Sequence, residues 1–143
     1  MNIRQGLKLL EEKKGYGHVA ELGDHLIYNL RVYFNHGEEI PINDLSKTTR
    51  EKLNRYCPGN FTNEEGCELI NFNTCLGRRD VLRGIEYSLY GMREGGYRKV
   101  KVSPQLAYKM KGIPGKIPPN AAIIFEIWLR KIEKKETKQA FPC

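Results

Sequence analysis

The chain has no long hydrophobic run, no Cys-x-x-Cys pair and no unbroken block of one charge. Its apolar runs are a few residues long, far short of the ~20 that a membrane-spanning helix needs, so no membrane association is expected. The first residues, Met1 to Lys8, lack the continuous apolar core of a secretory signal, and a cytoplasmic protein is the expectation. The four cysteines, Cys57, Cys67, Cys75 and Cys143, match no Cys/His zinc spacing; no metal or other cofactor is expected. Cys57 and Cys67 flank a short polar stretch and could pair in an oxidising compartment, but without a secretion signal reduced thiols are the expectation. Asn60-Phe61-Thr62 fits a glycosylation sequon, which also needs the secretory pathway and is discounted. The sequence carries no recognisable nucleophile–base triad and no glycine-rich phosphate loop.

What is present fits one folded domain. The chain has 143 residues, of which 40% are hydrophobic and 10% aromatic, enough apolar material for a core. The net charge is +7, which raises attraction to anionic surfaces. Much of it lies in Arg78, Arg79 and Arg83, in Arg98, Lys99 and Lys101, and in Arg130, Lys131, Lys134, Lys135 and Lys138. These are dispersed and partly interleaved with acids, so the charge reads as a solvated basic surface and nucleic acid is not an expected partner.

Residues 2–14, with Ile3, Leu7, Leu9 and Leu10 among charges, predict a short amphipathic helix; the N-terminal helical unit is set at 1–15. From Leu26 to Phe34 alternate positions are apolar, which predicts a strand with one buried face, closed by the turn Asn35-His36-Gly37. Residues 44–70 are polar and read as an insertion, with a short capped helix over Asp44–Leu53 and a turn at Pro58-Gly59-Asn60. Phe72–Leu76 predicts a short strand and Asp80–Met92 a helix, with Val81, Leu82, Ile85, Leu89 and Met92 on one stripe. Tyr97–Val102 predicts another strand. A proline-rich loop over 103–120 leads into a last strand, Ala122–Ile132, with Ile123, Phe125, Ile127 and Leu129 on one face. A basic tail covers 135–143. One helix among antiparallel strands makes an α+β domain with the helix on one sheet face, here placed at 16–134.

Several of these residues fall in a known order. Leu76-Gly77, Val81-Leu82-Arg83-Gly84, Met92, Gly95, Ser103-Pro104, Ala107-Tyr108, Gly112, Pro114-Gly115, Ile117-Pro118-Pro119-Asn120-Ala121 and Phe125 resemble FKBP-type peptidyl-prolyl isomerases, the rapamycin-binding immunophilins. The match runs nearly ungapped from Phe72 to Glu133, and Gly23 to Gly37 resembles the family's first core strand and turn. The resemblance implies an antiparallel twisted sheet wrapped around one central helix. It also implies cis–trans isomerisation (rotamase activity) of X-Pro bonds without a cofactor, a role in protein folding, and proline-containing polypeptides as partners of a monomer.

Residue by residue, the resemblance implies that Tyr108 reaches the substrate carbonyl and that Phe72 and Phe125 are aromatic walls. It implies that Ile117 is an aliphatic wall, that Val81 and Leu82 are the aliphatic pair whose second backbone N–H meets the ligand, and that Asp80 presents a backbone carbonyl. Ile40 and Ile113 fall at further pocket positions. Three positions depart: Ile85 stands where the family has a tryptophan floor, Leu30 where it has a wall tyrosine, and Ile40-Pro41 where it has Phe-Asp. The departures imply reduced turnover and low affinity for macrolide inhibitors. Read from the residues alone, Val81, Leu82, Ile85 and Phe125 would be core in any α+β domain, and Tyr108 is the more telling residue because nothing structural demands an aromatic in its loop. The alternative is a non-catalytic FKBP-like domain that binds a peptide or protein segment.

Overall fold

A computed structural model describes residues 2–4, 6–40, 55–62, 68–77, 83–104 and 121–134. The strands are β1 (Asn2–Arg4), β2 (Leu7–Lys13), β3 (His25–Phe34), β4 (Glu39–Ile40), β5 (Arg55–Thr62), β6 (Glu68–Cys75), β7 (Tyr97–Val102) and β8 (Ile123–Glu133). Among the described residues there is one helix, α1 (Arg83–Leu89). The strands form one antiparallel sheet in the order β1-β2-β7-β8-β3-β6-β5, with β4 paired to β3. The helix packs against β7 and β8, as the α+β reading expects.

The pairing explains which face is buried. On β3, Leu26, Tyr28, Leu30 and Val32 point to the helix side, and on β8 Ile123, Phe125, Ile127 and Leu129 do the same. Val100 and Val102 of β7 complete this apolar face, and Ile85, Leu89 and Met92 meet it from the helix unit. Each of these positions is predicted by alternation on a strand or by the helical stripe.

The amino-terminal segment corrects the expectation of a helix. The strands β1 and β2 pair antiparallel, with Gly6 at φ +89° just before β2, a conformation that favours glycine. Leu7 is buried, whereas Leu10 is 42% exposed. A bulge between Leu9 and Glu11 shifts the facing residues and breaks the alternation that would have marked a strand. The polar region 44–70 is also partly regular: β5 and the start of β6 pair there. Pro58-Gly59-Asn60 is not a turn but lies in a register shift of β5, the terminal strand of the sheet, where a proline is tolerated. The predicted helix over 44–53, most of the loop 103–120 and the tail 135–143 lie outside the described residues. Cys75 is disulfide-bonded, which corrects the expectation of reduced thiols for this residue.

The outward face is knitted by charge. Glu126 of β8 lies between Lys99 of β7 and Arg31 of β3 in the strand register. Lys99 is also opposite Glu11 of β2, and Arg31 pairs with Glu39 at 2.7 Å. Signs therefore alternate across the sheet, the arrangement that favours cross-strand pairs. Tyr33 and Tyr97 both donate their hydroxyls to the Glu126 carboxylate, the latter at 2.6 Å. Burial, followed by the hydrogen bond to Glu126 and the charge of that carboxylate, holds both phenols well above the ordinary tyrosine range.

This has a consequence at high pH. A group whose pKa is raised by folding stabilises the fold fully below its unfolded pKa, near 10 for tyrosine, and that contribution is lost as pH rises toward the folded value. Stability should fall above pH ~10 by up to about 1.4 kcal/mol per pH unit for each of the two phenols. The Tyr33→Phe/Tyr97→Phe variant should show a shallower decline. Denaturant midpoints between pH 9 and 12 check this; equal slopes for the two proteins would refute it.

Candidate functional site

Five of the sequence-predicted site residues lie among those described, and the fold brings all five into one apolar cluster: Leu30 on β3, Ile40 on β4, Phe72 on β6, Ile85 on α1 and Phe125 on β8. Their placement follows from register. Val32 has Phe125 as its partner on one side and Ile40 on the other, so these three form a row across β8, β3 and β4. Two pairs further along β3, Tyr28 faces Phe72, with ring centroids 6.0 Å apart and tilted by 36°. Ile85 and Phe125 are 0% exposed, so within the described residues both belong to the packed interior.

Among the described residues, the buried polar groups near this cluster include Thr74, Glu86 and Ser88. Ser88 turns its hydroxyl back onto the Gly84 carbonyl at 2.5 Å, and Glu86 approaches the Gly77 N–H at 3.4 Å. Among the described residues, Phe72, Ile85 and Phe125 sit in hydrocarbon and aromatic surroundings.

Tyr28 was not singled out as a site residue by the sequence. It is fully buried, two positions before Leu30 on the same strand face. The alternation of β3 was the signal that could have found it. The Tyr28 ring packs against that of Phe72. Tyr108, Asp80, Val81, Leu82, Ile113 and Ile117, with Pro41, lie outside the described residues.

A cleft of about 320 Å³, reached by Met92 of the core, opens beyond the carboxy-terminal end of α1. Glu12, Lys13, Lys14, Val19, Arg93, Tyr97 and Arg98 line it together with the backbone of Gly15, Gly91 and Gly96. Arg98 closes the helix end by donating to the carbonyls of Ser88 and Tyr90, at 2.9 and 3.0 Å, while pairing with Glu12 at 2.9 Å.

Comparison with known proteins places these residues in context. Residues 61–130 match the model of the family described as FKBP-type peptidyl-prolyl cis-trans isomerase. The chain is 42% identical over 60 residues to the human peptidyl-prolyl cis-trans isomerase FKBP2, covering 42% of this chain and 42% of that protein. It is 29% identical over 133 residues to FK506-binding protein 4 of Chaetomium thermophilum, covering 93% of this chain and 23% of that one. It is 39% identical over 62 residues to the 46 kDa FK506-binding nuclear protein of Spodoptera frugiperda, covering 43% of this chain and 15% of that one. The chain therefore spans less than half the length of each of these relatives.

Proposed function

We propose that this chain, a divergent member of the FKBP-type peptidyl-prolyl cis-trans isomerase family, catalyses the cis–trans exchange of X-Pro bonds in an apolar pocket at the junction of sheet and helix. The observation that carries the reading is the convergence of Leu30, Ile40, Phe72, Ile85 and Phe125 on one apolar cluster, from five separate elements.

The chemistry asks for little else. The planar amide is held by resonance behind a barrier of about 18–20 kcal/mol. Twisting the bond breaks the resonance and draws charge off the carbonyl oxygen. Water solvates the planar, more polar form better, so a water-excluding apolar site favours the twisted one. Only interactions stronger in the twisted state speed the exchange. Phe72 and Phe125 supply apolar wall, and Tyr108 is the residue assigned to the substrate carbonyl. Val81 and Leu82, with the backbone of Asp80, would hold the peptide, and Ile113 and Ile117 would line the rim.

The departures set the rate. Isoleucine in place of a tryptophan floor keeps the site apolar but gives up contact area under the proline ring. Loss of apolar contact in a pocket is worth about 1–3 kcal/mol, or roughly 10–200-fold. Turnover is therefore reduced, macrolide affinity is low, and the substrates are proline-containing polypeptides during folding. A protease-coupled assay on a prolyl tetrapeptide, run beside the human relative, tests this. The expected kcat/KM is roughly 10–200-fold below the human protein's. Turnover equal to it and abolished by rapamycin would overturn the reduced-activity reading, and no acceleration at all would leave the non-catalytic peptide-binding reading.

A further inference from the structure

We propose that the cleft beyond the carboxy-terminal end of α1 binds single-stranded nucleic acid, with Lys14 and Arg93 on the phosphates and Tyr16 stacked on a base. The proposal is independent of the isomerase reading, since none of these residues belongs to the apolar cluster.

Charge comes first. The cleft wall carries Lys13, Lys14, Arg93 and Arg98 against one carboxylate, Glu12. Glu12 is spent on Arg98. The neighbouring Glu94 turns one oxygen inward to the Ile132 N–H at 3.0 Å and keeps the other beside Gly17, so it offsets part of this charge. Arg93 is exposed and uses Nη1 on the Gly17 carbonyl at 3.0 Å, which leaves further N–H groups of its guanidinium to point at a ligand. Lys14 is exposed and is in no ion pair among the described residues. A basic pocket of about 320 Å³ with free donors fits a phosphate-bearing ligand.

The aromatic selects the class of ligand. Tyr16 is 89% exposed, so it contributes little to the core, yet its backbone is pinned. Its own N–H and that of Gly17 both donate to the Glu94 carbonyl, at 3.1 and 3.2 Å. Its ring lies so close over Gly95 that a Cβ there would come within 2.6 Å of it. Gly15 is required beside it, because a Cβ at that position would meet the Glu94 carbonyl at 2.3 Å. One side of the ring lies close to Gly95 and the rest is open to solvent. An exposed ring on the residue that follows Gly15, itself part of the cationic cleft wall, suits stacking of an unpaired base while lysine and arginine track the backbone. An acidic peptide would use the cations but not the ring.

Fluorescence anisotropy with labelled 12-nucleotide single-stranded RNA and DNA and with a duplex of the same sequence, on the full chain, decides the matter. Both single strands are expected to bind more tightly than the duplex, with RNA against DNA telling whether the 2′-hydroxyl matters. Tyr16→Ala should weaken single-strand binding about 5–150-fold. Lys14→Gln and Arg93→Gln should each make the salt dependence of log K shallower by about 0.7. All three positions are exposed, and unchanged far-UV circular dichroism certifies the fold. No binding, duplex binding as tight as single-strand binding, no effect of Tyr16→Ala, or equal competition by polyglutamate would each overturn the proposal.

Discussion

Phe125→Ala is expected to remove about 3–5 kcal/mol of folding stability, the range for deleting a buried aromatic. Phe125 is completely buried at the centre of the sheet, flanked in register by Val32 and Val100. No neighbouring strand can move in to fill the cavity without breaking its own ladder. Since domains of this size are stable by only about 5–15 kcal/mol, the variant should be close to unfolding, as urea or thermal melts will record. Alanine cannot separate packing from catalysis, so a second substitution is needed. Phe125→Leu keeps most of the volume and should cost less than about 1.5 kcal/mol. If Phe125 is also a pocket wall, its kcat/KM should fall about tenfold or more in a protein that remains folded. A Phe125→Leu protein with full turnover would confine the residue to the core.

Lys134→Met is the other change with a large expected effect. The Lys134 ammonium lies 2.8 Å from Asp24, 3.1 Å from Glu21 and 2.9 Å from the Val19 carbonyl. It thereby ties the end of β8 to the connection between β2 and β3. Desolvation pulls the lysine pKa down, but the hydrogen bonds to Asp24 and Glu21 outweigh it and the net shift is upward. Asp24 is 2% exposed. Methionine would keep the stem and strip the charge, leaving the Asp24 carboxylate buried with the Glu21 N–H as a remaining donor. Orphaning a buried charge costs about 3–5 kcal/mol; because the lysine side chain is 23% exposed, about 2–3 kcal/mol is expected after screening. Asp24→Asn in the Lys134→Met background should recover part of the loss. Equal stability of the single variant and the parent in urea melts would refute the role. The sign of the lysine shift adds to the alkaline lability set by Tyr33 and Tyr97: its contribution is present below the unfolded lysine pKa and fades as pH rises through the folded value.

Much of the fold was legible where periodicity was clean. β3, β7 and β8 alternate strictly over the residues that matter, and the observed bounds differ from those read off the sequence by no more than a residue at either end. The stripe Ile85, Leu89 and Met92 is buried as expected. Reading failed where the backbone, rather than side-chain period, decides. β2 is held by its ladder to β7, and its bulge places Leu10 outward, so its pattern looks as helical as it looks extended. β5 is a terminal strand that absorbs Pro58 and Gly59 in a register shift, which in the sequence reads as a turn. The burial of the proposed pocket residues was legible, because the same alternation that marks Leu30, Phe72 and Phe125 as apolar positions puts them in one cluster. Tyr28 was passed over because a buried tyrosine on such a face reads as core, and its pairing with Phe72 depends on the register of β3 against β6.

Exchange spectroscopy by NMR on a prolyl peptide mixed with the isotope-labelled chain measures turnover and its location together. Cis and trans peptide signals should exchange faster than the uncatalysed tens to hundreds of seconds. The amides of Ile85, Phe125 and Phe72 should shift with peptide concentration, while those of Tyr16 and Arg93 stay still. Uncatalysed exchange, or peptide shifts confined to residues outside the cluster of Leu30, Ile40, Phe72, Ile85 and Phe125, would contradict an isomerase pocket at the junction of sheet and helix.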